Sequence, residues 1–545
     1  MKTYARIVTL VRHSLIVALV ASGLLASTTA SAAIFTWSGG GANTSWNTTA
    51  NWSGGTAPTT GNDLLFNNST RTTNVNNIGS LSIGTITFAN PAGAFTISGS
   101  AINLGSITNT SANTQTLSLG VIQSTSGTYN ASSNITLSGS LFGSGNISKT
   151  GAGTLALNGA SKSGYTGTVT VSNGTLSIGT SGMLNGNVIM QANTTLATSF
   201  GGNLSLKTLE ISGSNVTLPN NTLAFINGGL SNSTGSQLTV NNNVTFSGSS
   251  TINAGTGGMT LNGIIQGSGT MTSVGAGLLE ITNSGNLPSG SFIVQAGTTR
   301  LTSGFGASFI VANGAALESS TGGNATVSSI TMQNGSSLRP GGPDSIGSIF
   351  ASNDVTLAAT STVDFDIGGG GPSLRAEPGT DFDQVVFAAD YQSGVLTYDG
   401  FLNLNFSTST TFDNGADFQL FNPGEVGTFT GNLAGINPTT TTGSSPYDGL
   451  TFTTYDSFSE ADKEFLSSYY LDKFGVNIGT GDWISSWNGA GEQRLVFSQS
   501  TGTLTVVPEP STIVFAGIGM AMFGWSSWTR RRAKARRQGI EAAIA

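Results

Sequence analysis

The chain contains no cysteine and a single histidine, His13. Disulfides are excluded, so the fold must be held by burial and backbone hydrogen bonds. His13 lies in a leading stretch that reads as removable, which leaves the remainder with neither His nor Cys. Serine–histidine–aspartate triads, cysteine nucleophiles and ordinary zinc sites go with them. Charge is also scarce. Only 8% of the 545 residues are charged, against roughly 25% in a usual soluble domain. No Gly-Lys-Ser/Thr closes a phosphate loop after a strand, and "GGGGPSLR" at 368–375 reads as a plain loop.

What is abundant is glycine, 77 residues of it, together with Ser, Thr and Asn. Such a composition suits either a disordered polymer, heavily glycosylated in a matrix, or a long β structure. Hydrophobic residues make up 37% of the chain, and Val, Ile, Leu and Phe recur at short, regular intervals. Disordered chains lack that pattern, and a strong β signal in circular dichroism separates the two readings.

Both ends carry export signals. Lys2, Arg6 and Arg12 precede "SLIVALVASGLLA" and then "STTASAA", with Ala30 and Ala32 in small-x-small spacing. This is the pattern of a secretory signal peptide over 1–32, cut between Ala32 and Ala33; a retained anchor is the alternative. Near the other end, Ser511 to Trp528 is apolar and at about 18 residues just long enough to span a bilayer as a helix. Arg530, Arg531, Arg532, Lys534, Arg536 and Arg537 follow at once. The positive-inside rule keeps that block cytoplasmic, so Ala33 to about Thr505 lies beyond the inner membrane. The bland reading is an ordinary C-terminal anchor.

The order Val507-Pro508-Glu509-Pro510-Ser511-Thr512, apolar segment, basic cluster resembles the bacterial PEP-CTERM sorting signal, here over 507–537. The resemblance implies recognition and cutting by an exosortase-like membrane protease. It also implies transient inner-membrane anchoring and release to the surface or extracellular matrix of a Gram-negative, exopolysaccharide-making bacterium. One departure is the tail "QGIEAAIA" at 538–545, which runs past the arginines. Removing both ends leaves 10 basic against 25 acidic residues, a net −15. Nucleic acid is therefore not an expected partner.

The middle repeats. In "ISKTGAGTLALNGASKSGYTGTVTVSNGTLSIG", from Ile147 to Gly179, short alternating runs are separated by Asn-Gly and Ser-Gly pairs. Alternation at period two marks half-buried strands, and Gly and Asn supply turns with positive φ. The order returns from Gly267, where Gly275-Ala276-Gly277 matches Gly151-Ala152-Gly153 and Gly297 matches Gly174. Looser copies, such as "LKTLEISGSNVTLPNNTLAF", lie between. Units too small to bury their own core imply a solenoid. Short strands with turns every five to ten residues favour a parallel β-helix over a propeller. Coils of roughly 20 to 25 residues over some 330 residues give a rod on the order of 70 Å long, with Asn ladders expected at its turns.

Ser148-Lys149-Thr150-Gly151-Ala152-Gly153-Thr154-Leu155 and Tyr165-Thr166-Gly167 are similar to the autotransporter-associated β-strand repeat. The copy at 267–302 is degenerate, with Ser273 in place of the lysine and the Tyr-Thr-Gly lost. The opening stretch with Trp37, Trp46 and Trp52 also resembles the start of such proteins. The resemblance implies a right-handed β-helical stalk at the cell surface. The expected division is a repeat region over 33–340, then terminal coils and a β cap over 341–506 with one helix near 458–475, capped by Ser459.

Carboxylates are the remaining chemistry. Asp364, Asp366, Asp381 and Asp383 crowd together, and a pair of acids suffices for glycoside hydrolysis on a β-helix. The plainer reading of "DFDIG" and "DFDQ" turns the aspartates to solvent and the phenylalanines to the core. A structural Ca²⁺ on oxygen ligands is open, though the Gly-Gly-x-Gly-x-Asp signature is missing. Trp37, Trp46 and Trp52 either stack on sugars or cap the first coil, and capping is the expected role. The sequence thus reads as an exported all-β rod without a catalytic role or cofactor, structural or adhesive in an exopolysaccharide matrix. The alternative is an extracellular polysaccharide lyase or glycosidase using paired carboxylates.

Overall fold

The computed structural model describes residues 32–508, apart from short stretches at 160, 180–181, 284–289, 369–376, 389–392, 407–411, 441–444, 448, 475–476 and 489–492. Residues 1–31 of the expected signal peptide (1–32) and the tail from Glu509 onward, with its apolar segment and Arg530, Arg531 and Arg532, lie outside the described residues.

The chain is an all-β parallel solenoid of about 14 turns with little helix. At about 4.8 Å per turn this gives a rod of roughly 65 Å. The alternation seen in the sequence is the cause. In Leu184–Met190, buried and half-buried residues alternate without exception, so one edge of the strand faces the core and the other faces water. Because each coil takes about 20 residues, like falls on like. Ile135 lies beneath Leu155, Leu155 beneath Leu176, and Leu176 beneath Leu196. All four are at most 1% exposed, which makes a continuous aliphatic column. Each such side chain contributes roughly 1.5–3 kcal/mol by leaving water.

A 22-stranded sheet runs along the rod and forms two arms. One strand shows the division. The first half of Leu223–Asn232 pairs with Val244–Ser247 and its second half with Ser250–Asn253. The remaining face is built by a seven-stranded and then a nine-stranded parallel sheet, joined on the later coils by a four-stranded one.

The turns are tight enough to dictate residue type. Gly174 adopts φ +72, and a Cβ there would lie 2.5 Å from the carbonyl oxygen of Gly153 in the coil below. Gly297 stands over Gly275 and Gly277 in the same way. The two sequence matches are therefore one structural turn used twice. Lys149, from the best-formed repeat, is wholly buried. Its ammonium donates to the carbonyls of Thr150 (3.0 Å), Gly151 (2.7 Å) and Asn173 (2.7 Å), tying one coil's turn to the next. Burial pushes its pKa down to about 8. Asparagines form only short ladders, such as Asn262 to Asn241 at 2.7 Å. More often they satisfy turn backbone, as when Asn109 donates to the carbonyls of Asn113 and Asn134, because a buried carbonyl without a partner is costly.

Both ends of the core are covered. Trp37, Trp46 and Trp52 are at most 2% exposed and meet edge to face, with ring centres 5.1 and 5.9 Å apart. Their indole N–H groups donate to Thr70 O, Asn74 Oδ1 and Trp46 O. They close the first coil and leave no ring face for a sugar. At the far end the parallel coils continue to Gly435–Thr440. A five-stranded antiparallel sheet follows, in the order Asp417–Gln419, Thr503–Pro508, Gln493–Ser498, Trp483–Ser485 and Phe452–Thr454. The helix Glu460–Phe474 starts after Ser459, whose hydroxyl accepts from the Asp462 N–H at 3.2 Å. Leu466 and Tyr470 press it onto Ile478, Ile484, Val496 and Val507.

Two substitutions test these turns. Gly174→Ala is expected to lower stability by about 2 kcal/mol or more, combining positive φ with the backbone clash. Gly235→Ala, with similar φ but nothing within 4 Å, should lose only about 1 kcal/mol. Lys149→Met keeps the volume but takes the ammonium from three part-buried turn carbonyls, for a loss of about 1 kcal/mol or more in all. Shifts in the urea midpoint, followed by circular dichroism, measure all three.

Candidate functional site

Three of the four crowded aspartates come together. Asp364 and Asp366 lie on Thr362–Ile367, where Val363, Phe365 and Ile367 turn into the core. Both aspartates therefore leave the strand on its outer side. Residues 366–368 then meet 381–383 in a short antiparallel bridge, with Asp383 N donating to Asp366 O at 2.9 Å and Gly368 N to Asp381 O at 2.9 Å. This folds Asp383 under the strand, where it is 1% exposed. Its carboxylate accepts from the N–H groups of Gly347 (2.7 Å) and Asp366 (2.8 Å). Asp366 accepts from Ser345 N at 2.7 Å and Asn405 Nδ2 at 3.0 Å. Asp381 stands apart and accepts from Glu377 N at 2.8 Å in its own turn.

Asp364 belongs to a larger arrangement. Successive coils place Glu280, Arg300, Glu318 and Arg339 along one line, and Asp364, Asn403 and Asn437 continue it. Glu318, 2% exposed, binds Arg300 at 2.9 Å and Arg339 at 3.4 Å. Arg339 then binds Asp364 at 3.0 Å, and Asn403 donates to the other oxygen of Asp364. From Arg300 to Asp364 the charges alternate in sign, so neighbouring coils neutralise one another. A cavity of about 260 Å³ opens beside this line, bordered by Arg339, Asp344, Asp364, Asp366 and Asn405.

The electrostatics follow from this burial. Asp383 is pushed up to about 9, first by loss of water and then by the neighbouring Asp366 and Asp364, despite two N–H donors. Asp366 is also raised, again chiefly by burial. A raised carboxyl resembles a general acid, but Asp383 has no exposed surface with which to reach a substrate. Asp364, the half-buried member, is held in an ion pair. Among the described residues no group of three or more acidic, His or Cys side chains is arranged to hold a metal ion.

A second feature was not visible as such in the sequence. The remaining face is interrupted between Thr194–Thr198, where its seven-stranded sheet ends, and Leu238–Val240, where the nine-stranded one begins. The loose repeat copy "LKTLEISGSNVTLPNNTLAF" runs through this gap, where residues 213–221 make only the bridge Thr195–Thr217. Pro219, of the same parity as Thr217, has no N–H with which to extend that bridge to the coil below. Thr217 bonds downward to Thr194 and Leu196, which turns the backbone groups of Val216 and Leu218 upward. A cleft of about 360 Å³ results, lined by Val216, Leu218, Asn220, Thr239 and Asn241 and by no charged side chain. A neighbouring cleft of about 700 Å³ shares Leu218, Pro219 and Asn220.

The processing residues divide between fold and tail. Ala32 and Ala33 are at the very start of the described chain, and the carbonyl of Ala33 already accepts from Asp63 N at 2.9 Å. Val507 and Pro508 are the last two residues of the final strand, paired with Arg494 and Gln493. Glu509 and Pro510 lie outside the described residues. Among those described, no helix is long and apolar enough to cross a membrane. Comparisons with protein families, curated proteins and solved structures give no match.

Arg300, Glu318 and Arg339 escaped sequence reasoning. Opposite charges recurring at about one coil length were the available signal, diluted by unequal coils.

Asp383 gives a pH test. Its folded value is about 9, well above the usual carboxylate range, so the folded form holds a proton that the unfolded chain gives up. Its contribution is complete below about pH 4 and is lost as pH rises toward 9. Stability should therefore fall with rising pH in this window, by up to the order of 1 kcal/mol per unit. Asp383→Asn should flatten the slope in urea unfolding measured between pH 5 and 8.

Proposed function

We propose that this chain is an exported structural or adhesive protein of the cell surface or extracellular matrix, working in contact with exopolysaccharide. One observation carries the reading. Among the described residues, backbone pairing runs from Ala33 to Pro508, so the folded body occupies the stretch between the expected signal peptide and the sorting-signal-like tail. A body that fills the interval between two processing signals is what a released protein requires. The tail would be cut by an exosortase-like protease after transient inner-membrane anchoring, in a Gram-negative host. The finer fold reading is a right-handed β-helix, the hand that parallel crossovers favour.

The rod supports this role through its surface. Its acidic cluster is committed to backbone donors and to the ion-pair line, while Ser, Thr and Asn fill the outer positions. The interrupted face adds a neutral cleft with amide, hydroxyl and backbone groups beside Val216 and Leu218. Its size is that of a small ligand site, and its chemistry suits an uncharged polyhydroxylated chain. The competing reading, a lyase or glycosidase, needs two carboxylates free to reach one glycosidic bond. Asp364 and Asp366 are both bonded, and Asp383 is enclosed.

The exopolysaccharide fraction of the producing cells separates the two. The purified rod is expected to be retained by it in affinity electrophoresis without releasing reducing ends or unsaturated sugars. Release of either product would favour the enzyme. Asn220→Arg, an exposed change that lays a long cationic side chain across both clefts, should weaken retention several-fold with an unchanged circular dichroism spectrum.

A further inference from the structure

The break in the remaining face has the form of a missing strand. On its lower wall, Thr217 bonds down to Thr194 and Leu196, so the N–H and C=O groups of Val216 and Leu218 point into the gap. On its upper wall, Leu238 N bonds up to Gly258 O, and Val240 O accepts from Asn262 N. The N–H and C=O of Thr239 therefore point down into the same space. Among the described residues, no backbone hydrogen bond joins the two rows. The core opens at the same place. Leu176 and Leu196 below the gap and Met259 and Leu261 above it are at most 1% exposed, whereas Val216, Leu218 and Leu238 are only half-buried. The opening is local and held. On the main sheet the same two coils stay paired, Leu204–Ile211 with Leu223–Asn232. Past the gap, Asn242 Nδ2 donates to the carbonyls of Pro219 and Asn221 and pins the walls together at one end.

From this geometry we infer that the cleft of about 360 Å³ accepts one extended polypeptide segment, donated by another protein, in which apolar residues alternate with small polar ones. Inserted between the walls, its backbone pairs with Leu218 on one side and Thr239 on the other, as in strand addition to a sheet edge. Its inward side chain fills the column between Leu218 and Leu238, and its outward ones stay in water. A charged segment is disfavoured, because no lining side chain carries a charge to pair with it. Proteins usually blunt a free sheet edge with charge, and this one is bare. A saccharide engages such walls one hydroxyl at a time, whereas two facing rows at strand parity are matched in full by another backbone. The walls are set before binding, so the partner bears most of the ordering cost. The inference goes beyond the glycan contact proposed above, for which the neighbouring cleft of about 700 Å³ and the rod's exterior remain open.

The test uses the purified full chain in detergent and a labelled peptide with the sequence of one of its own strands, Thr168–Asn173 (TVTVSN), which has the required alternation. Fluorescence anisotropy is expected to show saturable binding. Methylating alternate backbone nitrogens of the peptide removes the N–H groups that face one wall and should weaken binding at least tenfold. No binding of the unmodified peptide, or equal binding of the two, overturns the inference. Thr239→Pro removes the downward N–H of the upper wall and leaves the bonds of Leu238 and Val240 in place. It should weaken binding at least fivefold with an unchanged circular dichroism spectrum, and an unchanged affinity also overturns the inference. Should that variant misfold, the methylated peptide decides. Retention by exopolysaccharide is measured alongside. Retention without peptide binding overturns strand capture and leaves the glycan reading standing, whereas peptide binding without retention sinks the glycan reading alone.

Discussion

Everything in this molecule depends on the rung between one coil and the next. A coil of about 20 residues, as from Ile135 to Leu155, cannot enclose a core by itself. When its backbone bonds to a neighbour in register, each inward side chain lands on another inward side chain. The aliphatic columns, the stacked glycine turns and the alternating ion pairs are three results of that single repeat distance. Without disulfides, nothing else spans the chain. The same dependence explains why buried polar groups are tolerated. Lys149 and Asp383 each sit where turn backbone from adjacent segments must be satisfied, and their shifted proton affinities are the cost of that placement.

A stack of coils has two open ends, and both are closed by changes of architecture. At the start, three indoles lie across the first coil with every N–H bonded. At the finish the strand direction changes from parallel to antiparallel. That change lets residues from the last coil, Asp417–Gln419, pair with a strand more than eighty residues later. The cap therefore waits for the end of the described chain. Its final strand is Thr503–Pro508, paired with Gln493–Ser498.

Much of the architecture was legible in the sequence. Period-two alternation located strands because one side of each is in water. The Gly-Ala-Gly and later single-glycine matches located one turn twice because the coil below leaves no room for a Cβ. The carboxylates were less legible. Alternation correctly turned Asp364 and Asp366 outward, but it cannot show that a loop closes over Asp366 or that Asp383 folds beneath the strand. The line Arg300–Glu318–Arg339–Asp364 was hidden because its spacing follows coil lengths that vary. The break in the remaining face was not read from the sequence, because the loose copy there keeps the apolar alternation of its neighbours.

The sequence by itself determined the class of fold and the absence of Cys chemistry, since both follow from residue type and local period. Tertiary structure alone decided which polar groups are free. Contacts between coils join residues about 20 positions apart or more, and only these contacts commit Asp364 to Arg339 and enclose Asp383. They leave the cleft beside Leu218 open and place Val507 inside the cap rather than in the tail.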